Sequence, residues 1–230
     1  MIAFMQDAKS SFRNALIHAV RPWGVELESP QLELFEKHYA AIVHANEMMN
    51  LTRITEPVEA AIKHYADSLA LLPWAKREGL AVVTLLDVGT GAGFPAVPIA
   101  VMRPDWKVTA IDGTRKKTKF VREVASELGL TNLKVDHGHS DHWETVERFD
   151  LVTTRAVASL ARCMRTSHRF IKRGGRLIAY KTAALPDEEN GEAQQACAEL
   201  GMELESPFLY ELELNAEKMA RALVPVRRVF

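Results

Sequence analysis

Between residues 81 and 200, short apolar runs alternate with amphipathic stretches of helical periodicity. The apolar runs, which predict strands, lie at 82–88, 108–112, 133–135, 150–153 and 176–180. The helical patterns lie at 95–102, 114–128, 157–172 and 188–200. Such an alternation builds βαβ units, whose parallel strands are covered by helices on both faces. The sequence therefore predicts an α/β fold with a doubly wound, mostly parallel sheet.

The two ends of the chain depart from this alternation. Residues 208–214 and 222–229 read as two strands with a short link, which predicts an antiparallel pair at one sheet edge. The first seventy residues or so read as helix only, with one start at Ser29-Pro30 and another at Thr55. We therefore expect an N-terminal helical extension over residues 1–78 that covers the site, and a sheet domain over 79–230, together forming one compact unit.

Composition excludes several classes of protein. The 230 residues are 47% hydrophobic with a net charge of -1, which is unlike a disordered chain. Cys163 and Cys197 have no paired spacing, so we expect a reducing, cytoplasmic location. The sequence also predicts no signal peptide, no membrane span and no metal site.

The strongest motif is the glycine-rich segment 87–95, DVGTGAGFP, which joins the first predicted strand to the following helix. Ligands of doubly wound folds bind at this carboxyl edge of the sheet. Glycines at alternate positions allow the backbone to come close to a ligand. The loop residues predicted to bind a cofactor are Asp87, Gly89, Gly91, Gly93 and Phe94.

Two acidic residues indicate which cofactor this loop binds. Asp112 ends the next strand, about twenty residues on, where a carboxylate can accept both hydroxyls of an adenosine ribose. Phe94 stands where a dinucleotide fold has the glycine that packs against a pyrophosphate. Asp87 is a poor neighbour for phosphates and a good one for a cation. These features favour S-adenosylmethionine, which is cationic and lacks phosphate, over NAD.

The segment LLDVGTGAGFPAVPIAV resembles the cofactor loop of the bacterial 16S rRNA guanine-N7 methyltransferases, the RsmG or glucose-inhibited division protein B family. The resemblance covers roughly residues 45 to 181. Further matching stretches are Asn50-Leu51-Thr52, His64-Tyr65-Ala66-Asp67-Ser68, Thr154-Arg155-Ala156, Ala158-Ser159-Leu160, Gly175-Arg176 and Tyr180-Lys181. It implies a Rossmann-like class I methyltransferase sheet in residues 79–230, with an antiparallel terminal strand pair.

The resemblance also implies site residues. It places Gly89, Phe94, Asp112 and Arg155 at the cofactor, and Ser140-Asp141 at the adenine. The chain has His139-Ser140-Asp141 where the family commonly has Arg-Ala-Glu, and Ala96 where it usually has glycine. His64, Asp67, Arg155 and Lys181 are predicted to line the substrate opening in positioning roles.

The acceptor class is narrowed by what the sequence lacks. The fourth strand ends in Thr153-Thr154-Arg155-Ala156, unlike the (Asp/Asn)-Pro-Pro-aromatic turn common in adenine N6 methylation. Neither cysteine lies in a loop suited to the thiolate that pyrimidine C5 methylation needs. Guanine N7 carries a lone pair and no proton, so its methylation requires no general base. The resemblance implies guanine 527 of 16S rRNA, in standard rRNA numbering, as the acceptor.

The charged residues are segregated along the chain. No Asp or Glu occurs between Leu151 and Pro186, whereas no Lys or Arg occurs from Thr182 to Glu217. Within the basic window, four cations recur at helical spacing, and a second group follows Asp112. The residues predicted to contact RNA phosphates are Arg115, Lys116, Lys117, Arg162, Arg165, Arg169 and Lys172. The predicted partner is 16S rRNA, as the small ribosomal subunit or an assembly intermediate, bound by a monomer at an unpaired base.

Three alternatives remain open at this point. The chain could methylate another RNA, or it could methylate a small molecule or a protein, although the basic segments disfavour the last two. It could be a nicotinamide-dependent oxidoreductase, which Phe94 and the reversed terminal strands disfavour. It could also bind RNA with an inactive cofactor loop, which Asp87, Asp112 and Arg155 together disfavour.

Overall fold

A computed structural model describes residues 2–81, 83–155 and 158–230 of the chain. Val82, in the first predicted strand, and Ala156 and Val157, at the predicted start of a helix, lie outside the described residues. The α-helices are α1 (Ile2–Val20), α2 (Ser29–Met49), α3 (Pro57–Ala60), α4 (Asp67–Leu69), α5 (Leu71–Arg77), α6 (Ala96–Met102), α7 (Arg115–Glu127), α8 (Leu160–Ser167) and α9 (Asp187–Leu200). The strands are β1 (Thr84–Val88), β2 (Lys107–Asp112), β3 (Leu133–His137), β4 (Phe149–Arg155), β5 (Ile171–Thr182), β6 (Met202–Leu204), β7 (Phe208–Leu214) and β8 (Glu217–Arg228).

The strands form one sheet in the order β3-β2-β1-β4-β5-β8-β6, and β7 also pairs with β8. Strands β1 to β5 are parallel, whereas β8 runs antiparallel to β5. Four of the five residues of β1 are buried, as expected of a central strand covered on both faces. This arrangement confirms the predicted doubly wound, Rossmann-like sheet with antiparallel terminal strands.

The antiparallel pair β7–β8 ends the sheet on one side, as predicted, and the short strand β6 joins it. Strand β8 does not lie at the sheet edge, because β6 and β7 both pair with it on the side away from β5. Together β6 and β7 form one interrupted edge strand. A turn at Asn215 and Ala216, both with positive φ, joins β7 to β8. Strand β6 spans three residues, too few for its alternation to be recognised in sequence.

The helix predicted over 157–172 ends too late and does not stay α-helical to its end. Helix α8 ends at Ser167, one 3₁₀ turn follows, and β5 already begins at Ile171. The register between β4 and β5 shifts between Phe149 and Leu151, and Gly174 within β5 has a φ of +77°. Strand β5 therefore begins before this irregularity. Because α8 ends at Ser167, Arg169 and Lys172 do not lie on the helical face that carries Arg162 and Arg165.

The helix starts are also shifted by one residue. Glu28, not Ser29, caps α2, because its side chain forms a capping box with Gln31. Glu56, not Thr55, caps α3 by accepting a hydrogen bond from the Glu59 amide at 2.7 Å. The helix predicted from Thr55 to about Leu72 instead comprises α3, a π-helical turn over 61–66, α4 and the start of α5. Such π-turns often occur at functional sites.

The helical extension shares its core with one face of the sheet. Phe12 of α1 stacks on Tyr39 of α2 and meets Tyr65 edge to face, at centroid distances of 5.0 and 4.9 Å. The same buried cluster includes Leu85 of β1 and Val97 of α6. That residues 1–78 and 79–230 unfold as one unit stays a prediction.

Candidate active site

The glycine loop is fixed to the end of the neighbouring strand. The amides of Gly89 and Thr90 donate to the Ile111 carbonyl of β2 at 2.9 and 3.0 Å. Gly93 has a φ of +104°, and a Cβ there would lie 2.7 Å from Val97 Cγ2 and 3.3 Å from His38 Nε2. Glycine is therefore required at this position by both its backbone conformation and the space around it.

Asp112 lies against this loop as predicted for a ribose acceptor. Its Oδ2 accepts the Gly91 amide at 3.0 Å and its Oδ1 accepts the Thr114 amide at 2.8 Å. The side chain is buried, so these contacts fix its orientation. Each carboxylate oxygen can accept a further hydrogen bond. Asp112 therefore has acceptor capacity left for two ligand hydroxyls.

Asp87 is a buried carboxylate that accepts few hydrogen bonds. Its Oδ1 accepts the Thr153 hydroxyl at 3.0 Å, whereas its Oδ2 is buried and accepts no hydrogen bond from any residue that the structure describes. Burial raises the pKa of Asp87 to about 7. The buried Thr90 hydroxyl also has no partner among the described residues, and its interaction with Asp87 limits the rise in the pKa of that carboxyl.

Ser140 and Asp141 lie in the loop after β3, beside the end of β2. The Gly138 amide donates to the Asp112 carbonyl at 3.1 Å, which joins this loop to the predicted ribose acceptor. Arg169 Nη2 donates to the carbonyls of Ser140 and Trp143 at 2.8 and 3.0 Å. Arg169, predicted as an RNA contact, thus holds the candidate adenine loop in place.

Arg155, at the end of β4, contacts three predicted site residues. Its Nη1 donates to Asp67 Oδ2 at 3.1 Å and its Nη2 to His64 Nδ1 at 3.3 Å. Its guanidinium lies 5.2 Å from the centroid of the Phe94 ring. The structure therefore brings Arg155, Asp67, His64 and the glycine loop together.

His64 is neutral and fully hydrogen-bonded. Burial, with the adjacent Arg155, lowers the pKa of His64 to about 3. Arginine can only donate, so Nδ1 accepts from Arg155 and Nε2 donates to Thr52 Oγ1 at 3.0 Å. Its ring stacks on Phe94 at 4.7 Å. Both nitrogens are occupied, so His64 positions its neighbours and has no free nitrogen to accept a proton.

Asp67 connects the site to the C-terminal hairpin. Its Oδ1 accepts the Tyr210 hydroxyl at 2.6 Å and Arg221 Nε at 3.2 Å. Its side chain is 4% exposed. The sequence did not predict Tyr210 or Arg221, because 143 and 154 residues separate them from Asp67.

His38 and Tyr65 form a second pair of residues at the site that the sequence did not predict. His38 Nε2 donates to the Ala92 carbonyl of the glycine loop at 2.9 Å, and the Tyr65 hydroxyl donates to His38 Nδ1 at 3.0 Å. Burial lowers the pKa of His38 to about 4, so the ring is neutral at neutral pH. One feature of the sequence could have indicated this role for His38. It lies three residues after Phe35 and four before Ile42, on the apolar face of α2, where a polar side chain needs a partner.

Lys181 lies outside this cluster of side chains. Its Nζ donates to the Ala158 carbonyl and to Glu189 Oε1, both at 2.7 Å. The same Glu189 oxygen accepts the Leu160 amide at the start of α8. Lys181 therefore holds the segment that follows Arg155 and does not line the cavity beside Arg155.

The predicted RNA contacts fall into two groups. Arg165 pairs with Glu199 and Lys172 with Asp150, both at 2.8 Å, and Arg162 lies 3.8 Å from Asp141. We use the term cofactor edge for the carboxyl ends of β1 and β2, where the glycine loop and Asp112 lie. In contrast to the paired cations, those in the first turn of α7 are exposed or partly exposed at this edge. These are Arg115, Lys116 and Lys117.

Within the described residues, every helix is too short or too polar to span a bilayer. Outside the gaps at 1, 82 and 156–157, no three His, Cys, Asp or Glu side chains are grouped as a metal ion would require.

The sheet order, the glycine loop and its acidic partner define the class: this is the Rossmann-like fold of class I methyltransferases. The chain is similar to the YcgJ protein from Bacillus subtilis (TM-score 0.54, 16% identity, covering 71% of this chain and 98% of that one). It is also similar to a ribosomal protein L11 methylase from Lactobacillus delbrueckii subsp. bulgaricus (TM-score 0.51, 19% identity, covering 70% and 77%). At these identities the likeness concerns the fold.

The family follows from closer relatives. Residues 31–214 match the family model GidB, rRNA small subunit methyltransferase G. Ribosomal RNA small subunit methyltransferase G of Leuconostoc citreum (strain KM20) is 37% identical over 213 residues, covering 91% of this chain and 89% of that protein. The protein of the same name from Thermoanaerobacter sp. (strain X514) is 35% identical over 218 residues, covering 93% of this chain and 89% of that protein. The chain belongs to the rRNA small subunit methyltransferase G family, which confirms the resemblance found in sequence.

Gly93→Ala tests the packing of the loop. We expect the free energy of unfolding to fall by about 2 to 4 kcal/mol, because backbone strain adds to the collision with Val97. Gly79→Ala is the matched control, since Gly79 also has a positive φ of +69° but nothing within 4 Å of its Cβ position. Urea unfolding of both variants makes the comparison, and equal losses would contradict the close packing described for Gly93.

Asp87→Asn tests the burial of the carboxylate. Because its folded pKa of about 7 exceeds the ordinary value of 3.8, folded Asp87 keeps a proton that the unfolded chain loses between these pH values. The contribution to unfolding free energy therefore falls by about 1.4 kcal/mol per pH unit as pH rises through this window. Asp87→Asn should remove that slope in urea unfolding at pH 5, 6 and 7. Asp105→Asn, whose carboxylate has a lowered pKa on the surface, should keep it.

Proposed function

We propose that this chain transfers a methyl group from S-adenosylmethionine to N7 of a guanine in a loop of 16S rRNA, with guanine 527 as the expected position. The observation that carries the proposal is the glycine loop with the carboxylate of Asp112 against it, whose Oδ2 accepts the Gly91 amide at 3.0 Å. An adenosine ribose fits Asp112, and a cationic amino acid moiety fits Asp87. The cofactor supplies an activated methyl group on a sulfonium.

The site is better suited to this cofactor than to NAD. A pyrophosphate next to Asp87 would raise its pKa further, whereas a cation would favour its charged form. The Phe94 ring is buried among His38, Tyr65 and His64, at centroid distances of 5.1, 5.0 and 4.7 Å. The position at which a dinucleotide fold leaves room for phosphates is therefore filled by an aromatic ring.

Among the described residues that contact Arg155, the side chains able to act as a base are already hydrogen-bonded, which supports N7 as the acceptor atom. Both nitrogens of His64 are engaged, and both oxygens of Asp67 accept hydrogen bonds. Guanine N7 loses no proton on methylation, so orientation of the reacting atoms is what the protein must provide. Burial raises the pKa of Cys197, and Cys163 is buried, so neither is suited to attack a pyrimidine ring.

The cationic edge and the family support RNA as the substrate. Relatives at 35–37% identity are named as ribosomal RNA small subunit methyltransferases. Arg115, Lys116 and Lys117 lie beside Asp112, so phosphates bound there would adjoin the cofactor. The protein would act in the cytoplasm, as a monomer, on the small ribosomal subunit or an assembly intermediate.

Arg155→Ala tests the proposed site. We expect methyl transfer to 16S rRNA to fall about 100-fold, because Arg155 joins Asp67, His64 and the glycine loop. Asp67 keeps Arg221 and Tyr210 as partners, so the variant should fold, which circular dichroism checks. Arg148→Ala, at an exposed arginine before β4, is the control with unchanged activity.

The assay uses 16S rRNA from a strain that lacks the endogenous activity. Borohydride and aniline cleave RNA at N7-methylguanine, so the wild type should produce a cut at the expected guanine. Methyl incorporation without cleavage would contradict N7, and no incorporation with any rRNA substrate would contradict the proposed activity.

A further inference from the structure

A cavity of about 320 Å³ lies between the helical extension and the β7–β8 hairpin. Arg155 and Asp67 form one part of its wall, and Arg221 of β8 forms another. It is therefore continuous with the candidate site, but half of its lining comes from elements outside the cofactor edge. Its size is at the lower end of the range for small-molecule sites.

The charges that line this cavity do not balance. Three cations, Lys63, Arg155 and Arg221, face a single carboxylate, Asp67. His64 adds no charge at neutral pH, because its pKa is lowered to about 3. Lys63 pairs with Glu59 at 2.7 Å in a contact that is about one-third exposed, so the two arginines facing Asp67 supply the excess charge. The cavity therefore favours an anion.

The acidic residues of β7 face away from the cavity. Glu211 and Glu213 alternate along β7 with Tyr210 and Leu212, so they lie on the opposite side of the strand. Both line a different depression, next to α1. They therefore do not compensate the charge of Arg221, whose one carboxylate partner, Asp67, is shared with Arg155.

Arg221 is held in place with donors to spare. Its Nε donates to Asp67 Oδ1 at 3.2 Å, and Tyr210 donates to the same oxygen. Within the described part of the chain, Asp67 is the one carboxylate that pairs with Arg221, and it does so through Nε, while the Tyr210 hydroxyl lies next to the guanidinium. Because Asp67 fixes one edge of the guanidinium, the other edge can bind a planar pair of anionic oxygens.

The remaining wall of the cavity is apolar. Ile54 comes from the extension, and Leu212 and Met219 from the hairpin. Apolar and sulfur-containing side chains next to an anion site suit a ligand that joins a phosphate to a ribose and a base.

We infer that this cavity binds an RNA nucleotide next to the acceptor guanine, with Arg221 as the main donor to its phosphodiester. The inference rests on the proposed function, and it adds a residue and a subsite to it. Asp67 accepts hydrogen bonds from both Arg221 and Arg155, so one carboxylate links the proposed phosphate site to the arginine beside the glycine loop.

Arg221→Gln tests the inference by RNA binding. Glutamine keeps a donor for Asp67 but loses the charge, so we expect the dissociation constant for a 16S rRNA transcript to rise about tenfold. The slope of log affinity against log salt should decrease in magnitude by about one, as for the loss of one phosphate contact. Arg227→Gln is the matched control, because Arg227 lies on the same strand but pairs with Glu203 on the surface. An unchanged slope in Arg221→Gln would overturn the inference.

Inorganic phosphate tests the cavity without RNA or turnover. In a ¹H–¹⁵N spectrum of the full chain, the Arg221 Nε–H resonance should shift saturably with phosphate, whereas that of Arg227 should not. No saturable shift would overturn the inference. A hexaglutamate peptide that shifts the Arg221 resonance more strongly than an oligoribonucleotide would also overturn it, in favour of a protein partner.

The two proposals fail in different ways. If the wild type transfers no methyl group to any rRNA, the proposed function fails. If the wild type transfers methyl groups and Arg221→Gln retains the wild-type RNA affinity, only the subsite fails.

Discussion

The site depends on one buried carboxylate, Asp67, which is held between two arginines. Arg155 donates to one oxygen at 3.1 Å, and Arg221 and Tyr210 donate to the other. Burying a charge is costly unless it is paired and hydrogen-bonded, and removing one partner of such a pair costs about 3–5 kcal/mol. This interaction joins the helical extension, β4 and the hairpin, which are far apart in the sequence. The geometry of the substrate opening is therefore maintained by the tertiary fold.

The extension is consequently part of the site. His38 donates to the carbonyl of Ala92 in the glycine loop, and Tyr180 of β5 donates to the Ser68 carbonyl at 2.9 Å.

The basic and acidic segments of the sequence pair with each other in the fold. Basic residues of the window before Pro186 pair with acidic residues that follow it, at Lys181–Glu189, Arg165–Glu199 and Arg176–Glu205. Much of the basic window therefore has a structural role, while the cations of α7 remain at the cofactor edge.

The sequence predicted what local patterns encode. Apolar periodicity predicted the parallel sheet, and strand-end positions predicted the glycine loop with Asp87 and Asp112. It did not predict His38, Tyr210 or Arg221, because their contacts join distant segments and no spacing rule relates them. The helical spacing from Arg162 to Lys172 was misleading, since β5 begins at Ile171 and pairs with β4 before its register shift. The carbonyl contacts of Arg169 and Lys181 likewise depend on tertiary packing.

We propose that Asp67 acts on the glycine loop by holding Arg155, whose guanidinium lies 5.2 Å from the centroid of the Phe94 ring. The most direct test is calorimetry of S-adenosylmethionine binding to Asp67→Asn. An amide cannot balance two guanidinium groups, so Arg155 should lose its fixed position and the affinity should fall about tenfold or more. An Asp67→Asn protein that is folded and binds S-adenosylmethionine with wild-type affinity would contradict this account.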